Sequence, residues 1–173
     1  MMSDRANSFF RYLAYALELI GAFVLSTTPG LMPELFGGKP ALTLCVALTV
    51  AVYEREIPAM IVGMAGGILA DLGYSNSIGL FTISLTVVCF VVGYAANNLI
   101  VAKFLNFLLY AAVATGLLFM LYYWVRIVLP GTEDGWTYFT GHILSRMAQT
   151  FLYAIPLYFI NKFIYFSLNP EMG

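Results

Sequence analysis

Charged residues are scarce in this chain: Asp, Glu, Lys and Arg together make up 10% of its 173 residues. An ordinary soluble domain carries roughly 25%. Hydrophobic residues make up 61% and recur as apolar runs from Phe9 to Leu168, separated by short polar breaks. A chain of this length cannot bury so much apolar surface in water, which excludes an ordinary soluble globular fold.

Residues that carry chemistry are also few. The chain has one histidine, His142, and two cysteines, Cys45 and Cys89, so no metal site of familiar spacing can be assigned. No Ser or Cys nucleophile has a His and a carboxylate at recognisable spacing, no glycine-rich loop follows a strand, and no polybasic cluster is present. These absences predict a protein that is not an enzyme and that has no cofactor and no nucleic-acid partner.

The apolar runs predict six membrane-spanning helices. They cover approximately Phe9 to Leu25, Ala41 to Tyr53, Ile57 to Ala70, Ile78 to Ala96, Phe104 to Trp124 and His142 to Phe166. A perpendicular crossing takes about 20 residues, so the second and third spans are short and are expected to borrow flanking residues or to be shielded by the bundle. The whole chain, 1–173, is therefore predicted to be one all-α integral membrane domain, a bundle of about six transmembrane helices.

The basic residues predict the orientation of this bundle. Five of them near span ends fall on one side of a six-span topology: Arg5, Arg11, Arg55, Lys103 and Lys162. Lys39 and Arg126 fall on the other side, so the positive-inside rule places both termini in the cytoplasm. Arg146 lies one turn inside the last helix, where it can extend to the headgroups or turn inward to a carboxylate such as Asp71.

A stripe of small residues marks the third span. Gly63, Gly67 and Asp71 recur every four residues and so share one helix face, while Gly66 and Ala70 lie on the neighbouring stripe. Helices in lipid associate through close packing of such small residues. The stripe predicts that the third helix is central and tightly crossed by a partner helix.

Two carboxylates fall at membrane depth, where an ionisable side chain needs a partner or water. Asp71 ends the glycine stripe. It can accept hydrogen bonds from the turn behind it, cap the next helix or pair with a cation, or it can bind a proton or cation for function. Glu18 lies near the middle of the first span, with Arg11 two turns earlier. It is either paired or protonated inside the bundle, or it is part of a transport site.

Several of these features occur together in a known family. Pro40 leads into an apolar hairpin, which is followed by the glycine-rich stretch from Gly63 to Gly67. Asp71 comes next, and Gly79 lies eight residues after Asp71. This pattern resembles the core motif of the rod shape-determining protein MreD family. The final helix is similar as well, since it begins near an arginine and contains a proline in its middle, Pro156.

The resemblance implies a scaffold subunit of the bacterial cell-elongation machinery in the plasma membrane. Its expected partners are the bitopic protein MreC, the actin-like MreB filament and the peptidoglycan glycosyltransferase and transpeptidase. The candidate residues for helix packing or partner binding are Pro40, Gly63, Gly66, Gly67, Asp71, Gly79, Arg146 and Pro156, with Glu18 as an intramembrane carboxylate.

A second function stays open from a different class. The MreD family is similar in architecture to the substrate-binding membrane subunits of energy-coupling-factor vitamin transporters. A small-molecule transporter of this type would use Glu18, Asp71 and the loop from Ser26 to Pro40 as its binding elements. Similarity of fold does not by itself establish either function.

Overall fold

Six α-helices account for most of the residues that the structure describes. The structure, a computed structural model, describes residues 2–28, 30, 40–74, 79–98, 104–131 and 139–168. The helices are α1 (Met2–Thr27), α2 (Leu42–Tyr53), α3 (Glu56–Tyr74), α4 (Leu80–Asn98), α5 (Phe104–Tyr123) and α6 (Leu144–Leu168). Short π-helical turns at Trp124–Val128 and Phe139–Ile143 continue α5 and lead into α6. No strand occurs in these ranges, and the predicted all-α class is confirmed.

Most of the helices are long enough to cross a membrane. Five apolar stretches reach the required length: Asn7–Thr27, Glu56–Gly73, Leu80–Asn98, Phe104–Val128 and Phe139–Leu168. α2 has 12 residues; at 1.5 Å per residue it extends about 18 Å, against about 30 Å for the hydrocarbon core. The sequence prediction ended the third span at Ala70, which is too early, because α3 continues through Asp71 to Tyr74.

The short helix α2 is enclosed on every side. All of its residues are buried, as expected for a helix that is apolar around its whole circumference. The sequence prediction placed the third helix at the centre, and the structure corrects this. α3 exposes Ile57, Ile61 and Leu72, whereas α2 exposes no residue. The neighbouring helices therefore shield α2 from the surroundings, and α2 by itself is too short to span the membrane.

Neighbouring helices run in alternating directions, so each end of the bundle contains the start of one helix and the end of the next. Different polar residues lie at the two ends. Arg11 of α1 and Glu54, between α2 and α3, lie together at one end, which we call the charged end. Asn97 near the C terminus of α4 joins them, because its side-chain amide donates to the Glu54 carbonyl at 2.8 Å. The opposite end holds the junction of α3 and α4 with Asp71, and we call it the aspartate end.

Aromatic rings connect α5 and α6 to the rest of the bundle. Tyr158 of α6 stacks on Phe107 of α5 with 4.5 Å between ring centroids, and it lies 5.5 Å from the ring of Tyr53 on α2. Farther along the same pair of helices, a groove of about 280 Å³ remains between them, lined by residues that include Thr115 and Met147. The α5–α6 contact is therefore close at the charged end and more open toward the aspartate end.

Candidate functional site

α3 and α4 touch backbone to backbone at two glycines. A Cβ atom at Gly67 would lie 2.5 Å from Thr82 Cα and 2.8 Å from the Phe81 carbonyl oxygen. A Cβ atom at Gly63 would lie 2.7 Å from Cys89 Cβ. Such distances are shorter than any van der Waals contact, so a larger side chain at either position forces the two helices apart. The close crossing predicted for the stripe is present, with α4 as the partner helix.

Small residues also bring α3 close to α2 and α4 at other heights. A Cβ atom at Gly66 would lie 3.2 Å from Ala47 Cβ and 3.3 Å from the Thr43 carbonyl oxygen, both on α2. A Cβ atom at Gly93 of α4 would lie 3.0 Å from Ala59 Cβ on α3. Gly93 was not predicted as a packing residue, because one glycine in an apolar span forms no stripe.

Asp71 caps the N terminus of α4. Its Oδ1 atom accepts a hydrogen bond from the backbone N–H of Phe81 at 3.0 Å. Its Oδ2 atom accepts from the backbone N–H groups of Gly79 and Thr82 at 3.0 and 2.9 Å, and from the Thr82 hydroxyl at 2.7 Å. The first N–H groups of a helix have no partner within the helix, and the positive end of the helix dipole favours a carboxylate. Asp71 thus has the contacts of the capping alternative.

Gly79 fits this cap through its backbone conformation. Its φ angle is +100°, in the left-handed region that residues with a Cβ atom rarely adopt. This conformation directs its N–H toward Asp71. Residues 75–78, which connect α3 to this turn, lie outside the described residues.

Glu18 is tied to the bundle through one of its two carboxyl oxygens. The side-chain amide of Asn161 donates to Glu18 Oε1 at 2.9 Å and to Thr49 Oγ1 at 3.0 Å. Asn161 is fully buried, so this cluster joins α1, α2 and α6 in the interior. Within the described part of the chain, the buried atoms Glu18 Oε2 and Asn161 Oδ1 have no hydrogen-bond partner. The cluster is therefore only half satisfied.

A buried ion pair closes the charged end. Arg11 Nε lies 2.7 Å from Glu54 Oε1, and the Tyr15 hydroxyl donates to the same oxygen at 3.2 Å. Arg11 and Glu54 are 9% and 4% exposed. Burial raises the pKa of the Glu54 carboxyl above its ordinary value, and the Arg11 charge opposes that rise. This pair was not predicted from the sequence, where Arg11 served as a topology signal.

Pro40 lies where α2 begins beside α6. Pro40 is buried, and the N–H of the next residue, Ala41, donates to Thr150 Oγ1 at 3.1 Å. The Cys45 thiol donates to the Thr150 carbonyl at 3.0 Å. These contacts anchor the start of α2 to α6. Most of the loop from Ser26 to Pro40, including Lys39, lies outside the described residues.

Arg146 lies at the aspartate end. Its guanidinium carbon is 6.0 Å from the centre of the Phe119 ring on α5. Phe119 packs edge-on against Phe81, the residue whose N–H donates to Asp71. Two aromatic rings thus connect the surroundings of Arg146 to those of Asp71 at the aspartate end.

Pro156 lies inside α6, beside Glu18. Both residues line a groove of about 320 Å³ between α1 and α6. Proline has no N–H, so the carbonyl of Leu152 one turn earlier lacks its usual helical donor. In the described ranges, no group of three or more His, Cys, Asp or Glu side chains could hold a metal ion, and Cys45 and Cys89 are free and buried.

Comparison with known families identifies the chain. A family model described as rod shape-determining protein MreD matches residues 7–167. The chain belongs to the MreD family. No curated protein and no solved structure matched it. MreD membership, together with five apolar helices long enough to cross a bilayer, makes this chain a multi-pass membrane protein with a role in rod shape determination.

The MreD resemblance predicted from the residues is confirmed. The structure brings Gly67, Asp71 and Gly79 of the motif together at one junction of α3 and α4. Glu18 lies in a separate cluster, with an asparagine that the sequence analysis did not select. An amide in an otherwise apolar span is the signal that could have found Asn161, since a buried amide needs hydrogen-bond partners.

Proposed function

We propose that this MreD-family chain is a membrane scaffold subunit of the bacterial cell-elongation machinery. In this proposal it binds a bitopic protein of the MreC type and so couples the actin-like MreB filament to the peptidoglycan glycosyltransferase and transpeptidase. The chain itself performs no reaction. The family match over residues 7–167 is the observation that carries the proposal.

The polar contacts inside the bundle support a scaffold. Asp71 holds α3 to α4, and the pair of Arg11 with Glu54 holds α1 to the turn between α2 and α3. Asn161 links α1, α2 and α6. These side chains fix the relative positions of the helices, which gives the lipid-facing surfaces a defined shape. A subunit that binds other membrane proteins needs such a shape more than it needs a reactive group.

The proposal includes an orientation in the bacterial plasma membrane. Arg11 and Arg55 lie at the charged end, whereas Arg126 and Arg146 lie toward the aspartate end. Lys39 and Lys103 lie outside the described residues. The six-span topology predicted from the sequence assigns Lys103 to the cytoplasmic side and Lys39 to the other side. The positive-inside rule then puts the charged end and both termini in the cytoplasm.

Complementation tests the scaffold. Cells depleted of their own MreD are given this chain with an affinity tag, together with the MreC-type protein of the same bacterium. We expect restored rod shape and sidewall synthesis and co-purification of the bitopic protein. Val113→Leu, at a 61% exposed position on α5, serves as the control variant and should behave like the unchanged chain. Failure both to restore shape and to retain the partner would reject the scaffold.

Cysteine labelling in intact cells tests the orientation. Both native cysteines are buried, so new cysteines at Arg55, at Lys103 and at the 72% exposed Leu129 report on the two sides of the membrane. A membrane-impermeant maleimide should label position 129 and leave positions 55 and 103 unlabelled until the membrane is opened. Labelling of position 103 in intact cells would reverse the proposed topology.

One observation favours the transporter alternative. Glu18 lines a groove, and its buried Oε2 atom has no hydrogen-bond partner among the described residues. The purified chain is titrated with thiamine, riboflavin and biotin, and the titration is repeated with Glu18→Gln and Asp71→Asn. The scaffold predicts no saturable binding. Tight binding that both substitutions abolish would instead assign the chain to the vitamin-type transport subunits.

A further inference from the structure

A groove between α1 and α6, called here the α1–α6 groove, combines an apolar wall with a carboxyl group. It has a volume of about 320 Å³ and opens at the lipid-facing surface of the bundle. Glu18, Gly21 and Leu25 of α1 line one side, and Tyr153 and Ile160 of α6 line the other. Leu25 and Ile160 are 39% and 49% exposed, so this surface is covered by whatever occupies the membrane around the chain.

Glu18, which lines the groove, has one hydrogen-bond acceptor without a donor in the described part of the chain. Glu18 Oε2 is buried and has no partner among the described residues. Pro156 lines the same groove and has no N–H of its own to donate. Hydrocarbon supplies no hydrogen bonds, so acceptors at membrane depth favour a neighbour that brings a donor.

Gly21 leaves room for that neighbour. A Cβ atom at Gly21 would meet no atom within 4 Å, whereas one at Gly63 or Gly67 would meet atoms of α4 within 3 Å. The glycines of α3 are therefore used by contacts within the chain, and Gly21 is not. Helices in lipid approach most closely where one of them carries such a residue.

We propose that the α1–α6 groove is the docking site for the single transmembrane helix of the bitopic partner, and that this helix presents a hydrogen-bond donor at the height of Glu18. The inference rests on the scaffold function proposed above. A lipid acyl chain fits the apolar walls but offers no donor at this depth. A second copy meeting the first through this same surface would bring two Glu18 carboxyls together and leave both without an opposite charge.

Two substitutions test the docking site in the full chain, co-expressed with its tagged MreC-type partner. A Cβ atom at Gly21 meets no atom within 4 Å, so Gly21→Leu should enter the groove without a clash, leave the thermal stability unchanged and reduce co-purification of the partner. Glu18→Leu should reduce co-purification roughly tenfold, the factor expected for one hydrogen bond between transmembrane helices. Val87→Leu on α4, at a 56% exposed position, is the matched control and should change neither quantity.

Cysteine cross-linking identifies the occupant. Cysteines at Gly21 or Ile160 should form disulfides with a cysteine scanned along the partner's transmembrane helix, with a helical periodicity, while cysteines at Val87 or Val113 should not. Cross-links from Val87 or Val113 with normal co-purification would reject this site and leave the scaffold standing. Disulfide-linked homodimers through Gly21, or capture of a photoreactive phospholipid there with no partner cross-link, would show that a second copy or lipid occupies the groove. Absence of co-purification together with failed complementation would reject the scaffold itself.

Discussion

Asp71 and Glu18 are two carboxylates in membrane-spanning helices, and the structure satisfies them to different degrees. Both oxygens of Asp71 accept hydrogen bonds, among them those from the first residues of α4 and from the glycine before them. Only one oxygen of Glu18 does so, from Asn161, and the other has no partner in the described part of the chain.

Position along the helix explains the difference. Asp71 lies in the last turn of α3, where the next helix starts within reach and offers backbone N–H groups that have no other acceptor. Glu18 lies in the middle of α1, where neighbouring helices have already paired their backbone groups and only side chains can reach it. A carboxylate at a helix junction is thus bound by backbone N–H groups of its own chain, while one in mid-helix depends on side chains of the neighbouring helices.

The largest expected effect is at Gly67, one turn before Asp71. Gly67→Leu should prevent recovery of folded protein, because the side chain would collide with the α4 backbone at Thr82 and pull the Asp71 cap apart. Leu69→Ala, at a partly buried position on the same helix, should still yield folded protein. Yield and thermal stability in detergent measure both variants, and equal values for the two would contradict the close-crossing argument.

Asp71→Asn should have the next largest effect. The amide keeps one acceptor oxygen but turns an NH₂ group toward backbone N–H donors, so the free energy of unfolding should fall by about 1 to 3 kcal/mol. Thr82→Val removes the hydroxyl donor to Asp71 and leaves the described backbone donors in place, so it should cost about 1 kcal/mol. Denaturant titration in micelles measures the two. A Thr82→Val loss as large as that of Asp71→Asn would mean that the backbone cap contributes little.

Glu18→Gln should have a smaller effect than Asp71→Asn. The glutamine carbonyl can still accept the hydrogen bond from Asn161, so we expect the free energy of unfolding to change by less than about 1 kcal/mol. Cells that carry only Glu18→Gln should keep their rod shape. Complete loss of shape with unchanged stability and partner binding would show that the ionisable group itself is needed, as a proton- or cation-dependent transporter requires.

The smallest expected effects are on α2, around the Glu18 cluster. Thr49→Val removes one acceptor of the Asn161 side-chain amide. That amide can still donate to Glu18, so the melting temperature should fall only slightly. Thr43→Val replaces a buried hydroxyl that has no hydrogen-bond partner in the described ranges, so it should leave the melting temperature unchanged or raise it. A larger loss for Thr43→Val than for Thr49→Val would contradict the assigned contacts.

Features formed by residues near one another in the sequence could be predicted, whereas contacts between distant residues could not. The stripe from Gly63 to Asp71 is read from helical spacing alone, and its close crossing follows from the absence of side chains. The partners of Glu54 and Glu18 lie 43 and 143 residues away. No spacing rule connects such positions, because their meeting depends on how all the helices pack.

Composition and hydropathy by themselves determined that this chain is an all-α membrane protein, since a bilayer requires long apolar segments whose backbone hydrogen bonds are satisfied internally. The motif residues were enough to predict the family. Only the tertiary structure decided that the short α2 is the enclosed centre, and that Asp71 is fully hydrogen-bonded while Glu18 is not. Hydropathy reports how apolar a helix is, whereas enclosure and hydrogen bonding depend on which helices surround it.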